Sequence, residues 1–267
     1  MKSRTALALL VFMLAVTETS AQGQTAGSGA QPLTPAPLQT QLEQPPKDAT
    51  VAELEAKGDL FRLRKAYEQA ILYYRAGLQK DAANATLSNK TGIAELQLND
   101  LRAAQKDFER AIKLNPRYAD AQNNLGVVHY LRRDYKRAIR HYQRAVDLRE
   151  DSAPFHSNLG TAWFARRQID KASAEYARAI ELDPDVLIRS STGGVAAQLS
   201  SPEDRAYYQY LLAKMYAKKG DIERCLECLQ KAKEGGYNRI KDVYKDEEFV
   251  TVRTDPRFAA LMERRPQ

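Results

Sequence analysis

From Thr50 onward, apolar residues recur at intervals of three and four, the spacing of one face of an α-helix. Thr50 followed by Glu53 is a capping-box pair, and it predicts the start of the first helix at Val51. Apolar stretches about 14 residues long then alternate with short polar breaks such as Asn99-Asp100, a turn signal. Pro116 and Pro184 each follow such a stretch, where proline stops a helix. Before Thr50 the pattern is absent. The predicted architecture is therefore all-α, built of paired helices.

The pairs repeat. Gly58, Gly92, Gly126 and Gly160 stand 34 residues apart. Each is followed in one register by Ala70, Ala104, Ala138 or Ala172, then by the aromatic Tyr74, Phe108, Tyr142 or Tyr176. A small residue comes next (Gly77, Ala111, Ala145 or Ala179), and then Leu78, Ile112, Val146 or Ile180. Small residues in fixed columns let paired helices approach closely, and the aromatic is expected to fill the space against the following unit. A single pair cannot bury its apolar stripe, so units must stack.

In period and in the order of its small, aromatic and proline positions, the chain resembles the tetratricopeptide-repeat family. The resemblance covers Val51 to Pro184 as four unbroken 34-residue repeats. It implies a solenoid of antiparallel helix pairs, and it says little about function. The first unit has Gly77 and Ala82 where alanine and proline are usual; the third has Glu150 at the proline position. A degenerate fifth repeat spans 201–236, opened by Ser201-Pro202-Glu203-Asp204, with Ala213 in place of the glycine, Cys225 of the alanine and Leu229 of the aromatic. Between them, residues 185–200 form an insertion, expected to be a loop. Residues 237–267 read as a C-terminal helical cap, with Phe249 and Phe258 as anchors.

The N-terminal segment has a different character. Lys2 and Arg4 precede an apolar run from Ala6 to Val16, and Thr19 and Ala21 stand as small residues two apart. Residues 1–21 therefore read as a signal peptide, with the mature chain starting near Gln22. The run is short for a membrane span, which leaves a signal anchor as the lesser reading. The chain is expected to be exported, periplasmic or secreted. Residues 22–49 are rich in Gln, Pro and Gly and read as a disordered linker.

Composition narrows the function. The chain is 43% hydrophobic and 28% charged with net charge +7, too modest an excess to mark a nucleic-acid binder. Two cysteines exclude a disulfide framework. Cys225 and Cys228 spell CxxC, but the register places both inside a helix as half-buried or buried thiols. A redox accessory protein is thus only a third reading. His129 and His156 fall at near-core positions and His141 toward the convex surface, with no metal-ligand spacing among them. Ser190 to Gly194 lacks the lysine and the strand of a phosphate loop. Arg132-Arg133 and Arg166-Arg167 complement the ends of first helices. No nucleophile, paired-carboxylate or cofactor motif emerges, so no cofactor, no metal and no enzyme activity are expected.

The family resemblance implies a concave groove lined by first helices. Carried onto this chain, its positions are Glu55, Asp59 and Arg62; Asn89, Ile93 and Leu96; Asn123, Val127, Tyr130 and Leu131; Ser157, Thr161 and Phe164; Tyr207, Tyr210 and Lys214. Their apolar middle and polar ends fit a peptide or helix of a protein partner, and Phe164→Glu should abolish such binding. Asn124 matches the central asparagine of the family's carboxylate clamp, but the clamp's lysines and arginine are missing, so that mode is excluded. The alternative is a structural or assembly factor of the envelope, acting through its convex face or self-association.

Overall fold

The computed structural model describes residues 42–193 and 201–263; the expected signal peptide and most of the linker lie outside them. The described residues are helical, with five packed pairs. The first four are α1 (Val51–Leu63) with α2 (Tyr67–Lys80), α3 (Ala85–Gln97) with α4 (Leu101–Leu114), α5 (Ala119–Leu131) with α6 (Tyr135–Leu148), and α7 (Ala153–Ala165) with α8 (Ile169–Leu182). Then come α9 (Val186–Gly193), the fifth pair α10 (Pro202–Lys218) with α11 (Ile222–Glu234), three short 3-10 turns within 240–254, and α12 (Pro256–Glu263). Among the described residues, no helix is long and apolar enough to cross a membrane.

Side chains set the helix boundaries. Thr50 Oγ1 accepts from the Glu53 N–H, and Glu53 Oε2 accepts in return from the Thr50 N–H at 2.8 Å, which completes the capping box. Side-chain oxygens of Asn84, Asp100, Asp134, Ser201 and Asp221 accept backbone N–H groups at the starts of α3, α4, α6, α10 and α11, one-way caps without the reciprocal bond. Every first helix of a pair ends in a residue with left-handed backbone: Lys65, Asn99, Arg133 and Arg167 at φ near 60°, and Gly220 at 75°. Only the fifth unit uses the glycine that this conformation favours. Arg133 and Arg167 thus hold the turn itself as well as complementing a helix end.

The repeat columns meet within a unit, and the aromatics also reach the following one as expected: Tyr176 packs edge-on against Tyr208, and Tyr74, Phe108 and Tyr142 cluster with Leu87, Leu125 and Leu159. A Cβ on Gly58, Gly92, Gly126 or Gly160 would lie 2.4, 2.7, 2.6 or 2.7 Å from the ring of Tyr74, Phe108, Tyr142 or Tyr176 in the same pair. Each glycine is the floor on which its own aromatic rests. All four rings are fully buried, as are Ala70, Ala104, Ala138 and Ala172. In the fifth pair both columns change together, with Ala213 in the glycine position and Leu229 in the aromatic one, both buried.

The insertion departs from the expected loop over its first half. Val186 and Leu187 are buried, and α9 packs on α7 and α8. In the first three units each second helix packs extensively on the next first helix, whereas α8 meets α10 over only a short stretch. The linker also differs at its end. Gln69 exchanges hydrogen bonds with both backbone groups of Glu43, Tyr73 Oη donates to Glu43 Oε1 at 2.7 Å, and Lys80 Nζ donates to the Lys47 carbonyl at 2.8 Å. These contacts hold residues 43–47 against α2. At the other end, Phe249 and Phe258 are buried beneath the cap as expected.

Candidate partner-binding site

First helices of neighbouring units touch along the inner face of the solenoid, and a regular polar ladder marks that contact. Lys90 Nζ donates to Glu55 Oε1 at 2.6 Å, Asn124 Nδ2 to Asn89 Oδ1 at 3.0 Å, and Asn158 Nδ2 to Asn123 Oδ1 at 2.9 Å. Each rung joins residues 35 apart, one position beyond the repeat length. Asn123 Nδ2 also donates to Asn124 Oδ1 at 3.3 Å, which ties two rungs together. Asn89 and Asn123 are buried, while Lys90, Asn124 and Asn158 are half-buried. A carboxamide offers two donors and two lone pairs, so Asn124 and Asn158 keep capacity for a further ligand. Sequence reasoning weighed Asn124 only as a clamp position; the recurring polar column of 90, 124 and 158 was the signal for the ladder.

The residues predicted to line the groove divide into three groups. Ile93, Leu96, Val127 and Leu131 are half-buried around the ladder, and Asn89 and Asn123 form its rungs. Tyr130, Ser157, Thr161 and Phe164 are buried at 3%, 1%, 1% and 1% exposure, so they serve packing instead of contact with a partner. Phe164→Glu would therefore test the core. Asp59, Ile93, Val127 and Thr161 form one column beneath the aromatics. Tyr74 Oη donates to Asp59 at 2.8 Å and Tyr176 Oη to Thr161 at 3.2 Å; Phe108 faces Ile93 and needs no partner. Tyr142 faces Val127, and its hydroxyl has no hydrogen-bond partner among the described residues.

The third group, Tyr207, Tyr210 and Lys214, lies in a separate cleft of about 770 Å³. Ile169, Ser173, Ala177 and Ile180 of α8 form one wall. Tyr207, Tyr210, Lys214 and Met215 of α10 form the second, and Tyr237, Asp246 and Glu248 close the end. Tyr210 is itself buried, its hydroxyl donating to Asp246 at 2.8 Å. Lys214 Nζ stands 3.0 Å from Asp246 and 3.2 Å from Glu248, and these contacts help hold the Asp246 carboxyl below the usual carboxylate range against the opposing effect of burial. The Phe164 and Tyr207 rings, 5.5 Å apart, join the inner face of α7 to the cleft.

The remaining candidate chemistry is absorbed by packing. Burial pushes both Cys225 and Cys228 up to about 12, so neither thiol ionises at ordinary pH. His141 is half-buried: its ring stacks on His129 at 5.2 Å, and its Nδ1 meets Gln122 Oε1 at 2.9 Å. Burial, then the His129 ring and Arg140, hold its imidazole down at about 4. His156 bridges Glu175 and the Glu150 carbonyl. Among the described residues, no group of three or more His, Cys, Asp or Glu could hold a metal ion.

Helix pairs stacked in a 34-residue register, each with its aromatic seated on its own glycine, define a helical repeat solenoid. Family models described as tetratricopeptide repeat match residues 89–157, 129–190 and 206–234. The chain belongs to the tetratricopeptide-repeat family. It is similar in structure to MamA from Desulfovibrio magneticus RS-1, at 21% identity over 75% of this chain and 99% of that one, with a TM-score of 0.50. YrrB, described as a TPR protein with an unusual peptide-binding site, aligns at 22% identity over 73% and 91% of the two chains, with a TM-score of 0.48. The first TPR domain of Spaghetti, bound to an HSP90 peptide, aligns at 23% identity over 48% and 94%, with a TM-score of 0.39. No curated protein matches the chain significantly in sequence. At these identities the likeness shows the fold alone.

Proposed function

We propose that the chain is a non-catalytic protein-interaction scaffold working outside the cytoplasm, and that it holds an extended segment of a partner protein along its inner face. The observation that carries this reading is the ladder. Asn124 and Asn158 present carboxamides at the spacing of one repeat, each held in a fixed orientation by its rung. A carboxamide can donate to a peptide carbonyl and accept from a peptide N–H at once, so such a row grips main chain whatever its side chains. Ile93, Leu96, Val127 and Leu131 flank the row with apolar surface for a partner's side chains. The cleft between α8 and α10 takes an apolar anchor at one end of that segment. The placement outside the cytoplasm rests on the leader-like pattern of residues 1–21 alone.

The test is selection of peptides from a displayed library on the protein, followed by binding to an Asn124→Ala, Asn158→Ala variant of equal helicity. Each lost hydrogen bond is worth about 0.5–1.5 kcal/mol, so affinity should fall roughly 10-fold or more. Undiminished binding by the variant would move the site away from the inner face.

A further inference from the structure

The outer faces of α4 and α6 carry a block of positive charge that the inner-face reading does not use. Arg102, Lys106 and Arg110 stand at intervals of four along α4, and Lys136, Arg140 and Arg144 occupy the same repeat positions on α6. The interval places successive cations about 6 Å apart on one side of each helix. Arg110 is half-buried and donates to the Ala82 carbonyl; the other five are exposed and have no ion-pair partner among the described residues. The block has edges. Its columns hold Glu68, Leu72 and Ala76 on α2; on α8 they hold Asp170, Ala174 and Arg178, the last paired with Glu181 at 3.1 Å. The excess charge also reaches inward, where Arg140 helps hold the half-buried His141 imidazole low.

We propose that this two-helix face is a docking surface for an anionic phospholipid bilayer. Charge complementarity names an anion, and the shape of the face names its kind. The cation columns contain no aromatic residue, so nothing there stacks an unpaired nucleic-acid base. Duplex readers insert one helix or strand into a groove, whereas here the cations are spread over the second helices of two successive units. A protein interface is built around an apolar, desolvated centre, and none interrupts these columns. A planar surface of dispersed negative headgroups asks only for exposed cations spread over one face. The surface is opposite in character to the inner ladder, so a bilayer and a partner segment can be held at once.

The test is co-sedimentation of the protein with phosphatidylcholine vesicles made with and without phosphatidylglycerol. Binding is expected only with the anionic lipid and should weaken as salt rises. A Lys106→Gln, Arg140→Gln, Arg144→Gln variant should bind about 100-fold more weakly, since each cation near an anionic surface is worth roughly a factor of five. An Arg64→Gln, Lys241→Gln, Lys245→Gln control of the same net charge should bind as the parent does, with circular dichroism confirming equal helicity in all three. The proposal is overturned if phosphatidylglycerol gives no binding, if the control loses as much as the test variant, or if duplex DNA or polyglutamate displaces the protein from the vesicles.

Discussion

Tyr142 offers a sharp test of how the repeats are packed. Its ring is fully buried over Gly126, but its hydroxyl faces Val127, where the first and fourth units provide Asp59 and Thr161. A buried donor without a partner costs about 1–3 kcal/mol, while a made hydrogen bond contributes only about 0.5–1.5 kcal/mol. Tyr142→Phe should therefore stabilise the fold by about 1 kcal/mol or more. Tyr176→Phe, which gives up a bond to Thr161, should destabilise it by about 1 kcal/mol. The same chemical change is expected to have opposite signs in two equivalent positions.

Urea denaturation followed by far-ultraviolet circular dichroism would measure both, with the slope checked for constancy because repeat arrays can unfold in parts. For a folded body of this size, 1 kcal/mol corresponds to roughly 2–4 °C in melting temperature. Val127→Thr supplies the missing partner by the geometry of the fourth unit, so it should stabilise the parent and do nothing in the Tyr142→Phe background. That gives a coupling of about 1 kcal/mol. If Tyr142→Phe weakens the fold as much as Tyr176→Phe does, the hydroxyl has a partner and the reasoning fails.

Further predictions follow from the same columns. Gly92→Ala sets a Cβ 2.7 Å from the Phe108 ring, and the overpacking, about 1–3 kcal/mol, exceeds the helix-propensity gain of about 1 kcal/mol. Adding Phe108→Leu, the pairing seen at Ala213 and Leu229, should recover part of that loss in a thermal melt. Lys65, exposed and at φ 60°, occupies a glycine conformation, so Lys65→Gly should stabilise by about 0.5–1 kcal/mol and Arg64→Gly should not. Glu95 is buried 2.5 Å from Arg75, and burial, then the charge of Asp107, push it from 4.5 up to about 7. For an acid whose folded pKa is raised, the native state holds the proton more tightly, so stability falls as pH rises from about 4.5 to about 7. The loss is on the order of 3 kcal/mol from this group, and Glu95→Gln should flatten a plot of urea midpoint against pH across that window.

The fold was legible because its constraints recur. A glycine, an alanine and an aromatic in one register at four repeats leave few alternatives, and the capping residues at Thr50 and Ser201 gave helix starts to the residue. What spacing alone leaves open is depth and partner. Sixteen residues separate Gly126 from Tyr142, a distance compatible with contact inside a unit or with the next one. Thr161 and Phe164 lie on the side of α7 that faces inward, but periodicity does not show that rings from α8 and α10 already cover them. His141 falls on the outer side of α6 by count, and only the packed pair shows His129 of α5 stacked on it. The insertion was opaque for another reason: α9 is eight residues long, too short for a clear helical period.

The insertion also explains where the cleft lies. After α8 the chain forms α9 before the next first helix, α10, begins. The short contact between α8 and α10 that results leaves α8 with a face that the next first helix covers in the other units. Ile139 of α6 is buried at that position, while Ser173 and Ala177 of α8 line the open cleft. The fifth pair is joined to the fourth by Phe164 and Tyr176 on Tyr208, Arg167 on Asp204 at 2.6 Å, and Lys219 on the Ile180 carbonyl at 3.0 Å. In a solenoid each unit is stabilised by its neighbours, and here one buried core that includes Ile180, Val186, Leu187 and Leu212 runs through α9 from the fourth pair to the fifth. One insertion thus opens the cleft between α8 and α10. A partner that fills the cleft would tighten that junction, and slower amide exchange in α10 and α11 than in α1 to α4 on binding is the signature to expect.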